Sequence, residues 1–333
     1  MNQATARNRK AHWWQPVADA LNGLRVRTLH ITCPRCHEKG LIVTRWVKGP
    51  ALKPLYTLHS NRTTADAVCE LDNEQADEIR GRVRPHESDI RELLRCRRSF
   101  VLFSGGKDSL ATYTYLKSLA QGDTSRLTAI YVDTTAGVQG SMDYVKRVSR
   151  YLGTTLVIVR PKVDYFALAR EWGMPSFSYR WCCRELKIKP IQEYLKTIKE
   201  PKVVFDGIRA AESAIRRQYI PIWYHPGFEC LSVSPIFHWS DQQVDSFINH
   251  NGIPKTLLHS LGSSTECWCG AYKTESDFRN LYDLDRELFH KLAELENKSP
   301  SGYTFIYKGG RKKPLTELER LILEERDSQH RSS

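Results

Sequence analysis

The segment "FVLFSGGKDSL" at residues 100–110 decides how the rest of the chain is interpreted. Four apolar residues run into a Ser-Gly-Gly turn at 104–106, and a helical pattern begins at Lys107. A turn needs one glycine, so two glycines flanked by hydroxyls indicate that a ligand comes close to the backbone. The N–H groups of such a loop and the positive end of the following helix bind anions. The segment therefore predicts a phosphate-binding loop to which Ser104 and Ser109 add hydroxyls.

This loop differs from two widespread phosphate-binding motifs. It contains neither G-x-x-x-x-G-K-[ST] nor G-x-G-x-x-G. The plain alternative is a strand-to-helix turn in which a serine caps the helix. Such a turn does not require the whole S-G-G-x-D-S string directly after a buried strand.

The chain from residue 99 onward alternates between strand and helix patterns. Strands are predicted at 99–103, 127–133, 155–160 and 202–208, with helices at 107–120, 141–152 and 184–198. Short apolar strands that alternate with helices indicate an α/β fold, a doubly wound parallel sheet covered on both faces. In such sheets, ligands bind beyond the carboxyl ends of the strands.

Changes in composition divide the 333 residues into five predicted segments. These are an N-terminal helix within 1–29 (amphipathic at 14–28), a zinc-ribbon-like module at 30–72, a charged helical connector at 73–98, a nucleotide-binding domain at 99–270 and a helical C-terminal region at 271–333. In the last segment, helices are predicted at 275–298 and 314–327.

The S-G-G-x-D-S string resembles the PP-loop of the ATP pyrophosphatase superfamily, whose members cleave ATP between its α and β phosphates and adenylylate a substrate. Four further segments resemble one branch, the phosphoadenylyl-sulfate (PAPS) reductase family, and follow in family order. They are "YVDTTAG" (131–137), "YRWCCRELKIKP" (179–190), "DGIRAAESAIRR" (206–217) and "SPIFHWSDQQVDSFINHNGIP" (234–254). The resemblance covers roughly residues 99–270 and implies an adenine nucleotide α-hydrolase-like fold.

The resemblance also implies an ATP site that works with Mg²⁺. The implied nucleotide-binding residues are Ser104, Gly105, Gly106, Asp108, Ser109, Asp133, Thr134 and Gly207, and the implied catalytic residues are Lys107, Asp108, Lys187, Arg209 and Arg216. Asp133 is expected to bind ribose hydroxyls or to help position Mg²⁺. The basic residues are expected to neutralise charge on the leaving pyrophosphate. For each basic residue alone, a surface ion pair is the alternative.

Nine cysteines fall into groups, which in a cytosolic chain favours metal ligands or catalytic thiols over disulfides. Cys33 and Cys36 form half of a tetrahedral zinc site, which His59 and Cys69 complete as Cys₃His. A segment this small needs such a metal in order to fold. The arrangement resembles the N-terminal zinc ribbons of archaeal-type members of the same family. Rival ligands are His37 and, more weakly, Cys96, and the plain alternative makes His59 a surface residue.

The second group is Cys182, Cys183, Cys267 and Cys269, with Cys230 between the pairs. In iron–sulfur members of the family, a Cys-Cys pair and a later C-x-x-C hold a 4Fe–4S cluster, and the resemblance implies the same here. The later pair in this chain is C-x-C, one residue shorter. The alternative is that some of these cysteines are buried apolar residues. No role is assigned to Cys96 or Cys230.

The formal net charge of +12 favours a polyanionic partner such as DNA or RNA, although solvated basic faces are the alternative. No apolar run approaches the roughly 20 residues of a membrane span, and the N-terminus has no apolar signal region. The expected location is therefore the cytoplasm. An oligomer is compatible with the sequence.

Relatives with this combination of features suggest an ATP pyrophosphatase that activates an acceptor for sulfur transfer. The expected acceptor is a nucleic acid, as in DNA phosphorothioation, and the expected sulfur donor is a protein such as a cysteine desulfurase. An adenylyl- or phosphoadenylyl-sulfate reductase is the first alternative. No cysteine follows Cys269, however, to act as the nucleophile that such reductases carry near the C-terminus. A non-catalytic nucleic-acid-binding protein is the second alternative.

Overall fold

The computed structural model describes residues 15–21, 24, 30–44, 55–59, 67–176, 179–256, 259, 267–271, 273–299, 303–308 and 311–332. The chain divides into two compact units. The first unit comprises Met1–Val101, Ala111–Leu127 and Lys199–Val244, and the second comprises Leu102–Leu110, Thr128–Ile198 and Asp245–Ser333. The five segments predicted from composition stay a prediction.

The first unit begins with a small antiparallel sheet. Helix α1 (Gln15–Leu21) precedes four strands paired in sequence order: β1 (His30–Thr32), β2 (Lys39–Thr44), β3 (Leu55–Leu58) and β4 (Val68–Glu70). The strands bury Ile42, Val43 and Leu55, so the sheet has an apolar face. The segment predicted as a zinc-ribbon-like module at 30–72 therefore contains a small antiparallel sheet. Most of the remainder of the helix predicted at 14–28 lies outside the described residues.

Two helices connect this sheet to the next strand: α2 (Asn73–Arg82) and α3 (Glu87–Cys96). Asp72 begins α2 with a capping box, because its carboxylate accepts from the Gln75 N–H at 2.9 Å and its own N–H donates to the Gln75 side chain at 3.3 Å. Helix α3 buries Ile90 and Leu94, four residues apart on one face. The predicted helical connector is present.

The following strands are β5 (Arg98–Leu102), β6 (Leu127–Val132), β7 (Thr155–Val159), β8 (Lys202–Phe205), β9 (Ile222–His225) and β10 (Cys230–Val233). The helices between and after them are α4 (Lys107–Leu119), α5 (Ser141–Tyr151), α6 (Tyr165–Trp172), α7 (Lys189–Thr197), α8 (Ala214–Arg217) and α9 (Asp241–His250). Residues Cys183–Ile188 form a π-helical turn that leads into α7. The helix predicted at 184–198 is therefore α-helical only in its second part.

Parallel pairing dominates this part of the fold. In the first unit the strand order is β5, β8, β10, β9, in which β8 pairs in parallel with both β5 and β10. In the second unit β6 and β7 are parallel, and the Phe103 N–H donates to the Ile130 carbonyl in β6 at 2.8 Å. All six residues of β6 are buried, as expected for a strand covered on both faces. The predicted α/β sheet is confirmed, with β9 as an antiparallel strand that was not predicted.

The C-terminal region contains α10 (Glu275–Leu284), α11 (Arg286–Asn297), the strands β11 (Ile306–Lys308) and β12 (Arg311–Lys313), and α12 (Leu315–Ser332). The single helix predicted at 275–298 was wrong. Asp285 interrupts it, because its carboxylate caps α11 by accepting from the Leu288 N–H at 2.9 Å. The region is otherwise helical as predicted, and its core includes the buried Phe278, Phe289 and Leu318. No helix among the described residues is long and apolar enough to cross a membrane.

Candidate active site and metal centre

The predicted phosphate loop joins β5 to α4. Gly105 has a φ of +77°, in the left-handed region that L side chains rarely adopt. A Cβ at this position would lie 2.8 Å from the Val145 Cγ2 atom and 3.3 Å from the ring of Tyr144. Both the backbone conformation and the lack of space therefore require glycine at position 105.

Serine hydroxyls hold this loop in shape. The Ser109 hydroxyl donates to the Gly106 carbonyl at 2.9 Å, and the Ser104 hydroxyl accepts from the Gly106 N–H at 3.3 Å. The two hydroxyls also contact each other at 3.3 Å. The loop is thus organised by its own residues, and a preorganised loop loses less entropy when a ligand binds.

His259, which the sequence did not indicate, supports the loop from behind. Its Nε2–H donates to the Gly105 carbonyl at 2.8 Å, and its Nδ1 accepts from the Thr256 N–H at 3.5 Å. The ring is 8% exposed and lies edge-on to Tyr144. Because one ring nitrogen donates and the other accepts, these bonds assign a neutral imidazole.

The geometry at His259 predicts a pH dependence. Burial lowers the pKa of His259 below the ordinary value of about 6.5, and the positive charges of Lys107 and Lys255 act in the same direction. The unfolded chain then binds the proton more tightly than the folded one. Stability should therefore fall as the pH drops below about 6.5 towards the depressed pKa.

Unfolding titrations at several pH values test this prediction. His259→Gln, which keeps a neutral donor, should show a weaker pH dependence than the wild type. His238 is a second histidine with a pKa lowered by burial, so the comparison rests on the difference between the two proteins. Equal pH profiles for both proteins would contradict the role given to His259.

Lys107, the first residue of α4, lies beside a cavity of about 520 Å³. The cavity is lined by Lys107, Asp245, Asn249, Lys255, Thr256 and His259. The Lys107 ammonium lies 2.9 and 3.3 Å from the two carboxylate oxygens of Asp245. The two side chains are 35% and 41% exposed, and such ion pairs contribute about 1 kcal/mol at most. A bound phosphate could therefore replace Asp245 as the partner of Lys107 at little cost.

Asp133 and Thr134 follow β6, the strand to which Phe103 is hydrogen-bonded. Thr134 is buried. The Asp133 carboxylate accepts from the Thr135 N–H at 3.1 Å and forms an ion pair with Arg160 at 2.6 Å. Arg160 is a partner that sequence reasoning missed, because it stands at the end of a different strand, β7.

The predicted site residues are divided between the two units. The first unit contains Gly207, Arg209 and Arg216, and the second contains the loop at 104–109, Asp133, Thr134 and Lys187. Arg209 is buried, and its guanidinium donates to the Asp241 carboxylate at 2.7 Å and to the Trp239 carbonyl at 3.2 Å. Arg216 forms an ion pair with Glu212. Both arginines thus have carboxylate partners, and their catalytic roles stay predictions.

The turn at Gly207 depends on Asp206, a buried carboxylate that was not singled out from the sequence. Asp206 accepts from the hydroxyls of Ser234 at 2.6 Å and Ser232 at 3.1 Å, and from the Ile208 N–H at 3.1 Å. Burial raises its pKa, although these hydrogen bonds act in the opposite direction. The network fixes the backbone directly before Arg209.

The N-terminal sheet brings four metal-ligating side chains together. The ligand atoms of Cys33, Cys36, His59 and Cys69 all lie within 4.8 Å of one another. A tetrahedral zinc ion with Zn–S bonds of about 2.3 Å places its sulfurs about 3.8 Å apart, so the four atoms fit a zinc ion. The His59 Nδ1 lies 3.2 Å from the Lys39 carbonyl, which leaves Nε2, 3.3 Å from the Cys36 Sγ, as the metal ligand.

The ionisation of the thiols also favours a cation. Burial opposes ionisation of Cys33, but hydrogen bonds with Thr57 and with backbone groups of Cys36 and Arg35 together lower its pKa to about 7. Burial and the neighbouring Cys36 and Cys33 raise the pKa of Cys69 to about 11. Three thiols this close cannot all ionise without a positive charge between them.

The local backbone explains why these ligands converge. A Cβ at Gly40 would lie 2.4 Å from the Thr57 side chain and 3.0 Å from the His59 ring, so only glycine lets β2 pass this close to His59. The rival ligands lie outside the four-residue group. The thiol of Cys96, for example, contacts the Glu92 carboxylate at 3.4 Å. The predicted Cys₃His set, rather than a set containing His37, is therefore the one that the structure assembles.

The second cysteine group lies in the second unit. The Cys182 and Cys269 sulfurs are 3.4 Å apart. The Cys182 thiol is also hydrogen-bonded to Cys183, and the Cys269 thiol is hydrogen-bonded to Cys267. Hydrogen bonding to Cys183 raises the pKa of Cys182 to about 12, and hydrogen bonding to Cys182 raises that of Cys269 to about 11. The inner pair is therefore neutral at pH 7.

Two contacts place this thiol group beside the turn that follows β6. The backbone N–H of Trp268 donates to the Ala136 carbonyl at 2.7 Å, and the Tyr165 hydroxyl donates to the Cys269 carbonyl at 3.0 Å. Four thiols are the donor set of a 4Fe–4S cluster. Among the described residues, however, the N-terminal group is the one set of three or more such side chains whose arrangement suits a metal ion. The iron–sulfur cluster stays a prediction.

Several curated proteins are similar in sequence to part of this chain, and the similarity covers only part of each relative. An uncharacterized protein of Methanocaldococcus jannaschii is 30% identical over 196 residues, which are 58% of this chain and 46% of that protein. The adenosine 5'-phosphosulfate reductase of Lysinibacillus sphaericus is 25% identical over 138 residues, which are 40% of this chain and 58% of that enzyme. The chain thus spans about half the length of the curated relatives that it matches.

Among solved structures, the PAPS reductase of Candida auris in its phosphate complex is 20% identical, with a TM-score of 0.42 over 60% of this chain and 97% of that one. The comparison that decides the family is the match of the sequence to a protein-family model. Residues 98–292, more than half of the chain, match the phosphoadenosine phosphosulfate reductase domain. The chain therefore belongs to the phosphoadenosine phosphosulfate reductase domain family.

Proposed function

We propose that this protein is an ATP pyrophosphatase that adenylylates an acceptor and so prepares it for sulfur transfer. The observation that carries the proposal is the loop at 104–109, where Gly105 is required by both conformation and space. Such a loop at a helix N-terminus binds phosphate groups through its N–H groups. Family membership supports a nucleotide as the ligand.

The residues of the second unit suggest how the reaction proceeds. The acceptor attacks the α-phosphorus of ATP, the α–β bridging bond breaks, and pyrophosphate leaves. Lys107 and Lys187 supply positive charge against the negative charge that builds on the pyrophosphate. A bound Mg²⁺ would screen the triphosphate, and Asp108 and Asp133 are the carboxylates proposed to hold it.

The thiol group is the proposed site of sulfur chemistry. Cys267 and Cys269 flank Trp268, whose backbone N–H donates to the Ala136 carbonyl in the turn after β6, the expected nucleotide edge. A partner such as a cysteine desulfurase would deliver sulfur there, either to a thiol or to a 4Fe–4S cluster held by Cys182, Cys183, Cys267 and Cys269. A hydrogen bond with Cys182 lowers the pKa of the Cys183 thiol, and the positive charge of Lys187 acts in the same direction.

A nucleic acid is the proposed acceptor, as in DNA phosphorothioation. In the first unit, a cleft of about 410 Å³ runs between β1 and α2. Its lining includes the basic side chains of His30, Arg82, Arg84 and His86. Together with the net charge of +12, this cleft favours a polyanion.

Reduction of a sulfonucleotide is a second candidate, favoured by the contact between Cys182 and Cys269. When two thiols form a disulfide, they give up two electrons and two protons. These two electrons can reduce the sulfonate group of the nucleotide to sulfite. Release of sulfite from adenylyl sulfate under reducing conditions would establish this candidate, and it would be excluded if no sulfite formed while ATP was cleaved.

The proposed function is tested by pyrophosphate release from ATP and Mg²⁺, with and without DNA or RNA. We expect release that increases with nucleic acid and falls at least a hundredfold in Asp108→Asn. Asp123→Asn is the matched control, since Asp123 is an exposed aspartate in a turn with Ser125 and should not change the rate. Equal rates for both variants, or no release under any condition, would refute the proposal.

A further inference from the structure

We propose that the β-hairpin at 306–313 is a contact site for the nucleic-acid acceptor, and that it binds an unpaired stretch of the strand rather than a duplex. This inference rests on the proposed function and deepens it, because it names a surface that receives the acceptor. The hairpin comprises β11 and β12 and lies outside residues 98–292, which match the family domain.

The hairpin is held at both of its ends by one buried carboxylate. Glu296 is 4% exposed, and its carboxylate accepts from the Phe305 N–H at 2.7 Å and from the Leu315 N–H at 2.6 Å. Phe305 stands directly before β11, and Leu315 stands shortly after β12. The hairpin is therefore fixed in place before any ligand arrives, and a preorganised surface loses less entropy on binding.

The two faces of the hairpin differ in burial. Ile306 pairs in register with Lys313; Ile306 is buried, and the Lys313 ammonium lies 2.9 Å from the Glu275 carboxylate. The next pair is Tyr307 and Lys312, and both residues are exposed. Because neighbouring residues of a strand point to opposite faces, this second pair projects away from the protein. At 67%, Tyr307 has the highest exposed fraction among the large apolar and aromatic side chains of the described residues.

The outward pair suits a single-stranded nucleic acid. Residues 303–316 contain no acidic residue and four basic ones: Lys308, Arg311, Lys312 and Lys313. Positive charge binds the phosphate backbone, and an exposed aromatic ring stacks on an unpaired base. The bases of a duplex are already stacked on one another, so the Tyr307 ring gains less there. Membrane binding draws on several exposed apolar side chains, whereas Ile306 is buried.

The hairpin is joined to the thiol group within the second unit. The ring of Phe305 lies against Gly270, where a Cβ would overlap it. Gly270 directly follows Cys269, one of the four thiols proposed for sulfur chemistry. Tyr307 stands two residues beyond Phe305, which is about 7 Å of extended chain. A strand bound to the hairpin is therefore held close to the thiols from which it would receive sulfur.

Binding of fluorescent single-stranded oligonucleotides, as DNA and as RNA, to the full-length protein at several salt concentrations tests the hairpin. Tyr307→Ala should weaken binding about tenfold, the value of one stacked base, and leave the salt dependence unchanged. Lys312→Ala should weaken binding and reduce the slope of log affinity against log salt by about 0.7, the value of one phosphate contact. Because both residues are exposed, their substitution should not disturb folding.

Two exposed residues of α5 provide matched controls. Tyr151→Ala removes a tyrosine that is 58% exposed, and Lys146→Ala removes an exposed lysine. Neither variant is expected to change the affinity for the oligonucleotides or the salt dependence. The wild type should also bind the single strand more tightly than the duplex of the same sequence.

The outcomes separate this inference from the proposed function. Weaker oligonucleotide binding by Tyr307→Ala, with unchanged pyrophosphate release in the absence of nucleic acid, supports the inference. If both hairpin variants bind as the wild type does, or if the wild type prefers the duplex, the inference fails and ATP cleavage stands. Tighter binding to phosphatidylserine vesicles than to the oligonucleotides would also overturn it. If the wild type binds through Tyr307 but releases no pyrophosphate, the proposed function fails and the contact site stands.

Discussion

Gly105→Ala should lower the affinity for ATP at least a hundredfold and abolish pyrophosphate release. An alanine at φ +77° is strained by about 1–3 kcal/mol. Its Cβ would also meet Val145 at 2.8 Å, a side-chain atom of the buried α5 face that has little room to withdraw. The loop must then shift, and its N–H groups lose the positions from which they bind phosphate. Equilibrium binding of ATP and urea unfolding together measure the two effects.

Gly122→Ala is a matched control for this prediction. Gly122 also has a positive φ, +95°, but a Cβ there would meet nothing within 4 Å. This variant should therefore show a comparable loss of stability from backbone strain while its ATP affinity stays at the wild-type value. If Gly105→Ala bound ATP as tightly as Gly122→Ala does, residues 104–109 would not form the phosphate site.

Removal of zinc should unfold the N-terminal sheet. Structural zinc contributes ~10–16 kcal/mol in zinc-finger peptides, more than four strands of three to six residues can replace by packing. We expect one zinc per chain in the wild type and almost none in Cys36→Ser, with rapid hydrogen exchange over residues 30–44 in that variant. Elemental analysis and hydrogen–deuterium exchange measure these two quantities.

Two cysteine variants serve as controls for the metal centre. Cys96→Ser removes the weaker rival ligand, and Cys230→Ser removes a buried thiol of β10. Both should keep the full zinc content, since neither residue belongs to the four-ligand group. Full zinc content in Cys36→Ser, or loss of zinc in Cys96→Ser, would contradict the assignment.

The features predicted best from the sequence are those encoded by neighbouring residues. The glycines of the phosphate loop and the C-x-x-C pair are contiguous, and their chemistry limits each of them to few functions. His59 and Cys69 were found because a zinc site needs four ligands, and the chain offers few others nearby. Apolar strands that alternate with helices were enough to predict the parallel sheet.

The features missed depend on contacts between distant segments. His259 contacts Gly105 across 154 positions, and Asp245 contacts Lys107 across 138. Asp245 lies within the family-like segment at 234–254, but the resemblance gives it no role, and His259 lies outside all of the quoted segments. The break at Asp285 was missed for a different reason, because an aspartate inside a helical pattern resembles a surface residue until its capping bond is seen.

The roles that the motif implies for Arg209 and Arg216 stay predictions, and each arginine has a carboxylate partner in the structure. Their positions in the "DGIRAAESAIRR" segment imply contact with a charged ligand. In the structure the Arg209 guanidinium is bonded to Asp241 and Trp239, contacts that order the backbone around it. A sequence motif thus indicates that an arginine is needed, while its hydrogen-bond partners decide whether it is available to a substrate.

The central claim is that ATP bound at residues 104–109 is cleaved between its α and β phosphates. The most direct measurement is product analysis after incubation of the protein with α-labelled ATP, Mg²⁺ and nucleic acid. The account predicts labelled AMP, or AMP bound to the acceptor, with an equal amount of pyrophosphate and with none of these products from Gly105→Ala. Labelled ADP with inorganic phosphate, or intact ATP alongside sulfite formed from adenylyl sulfate, would contradict it.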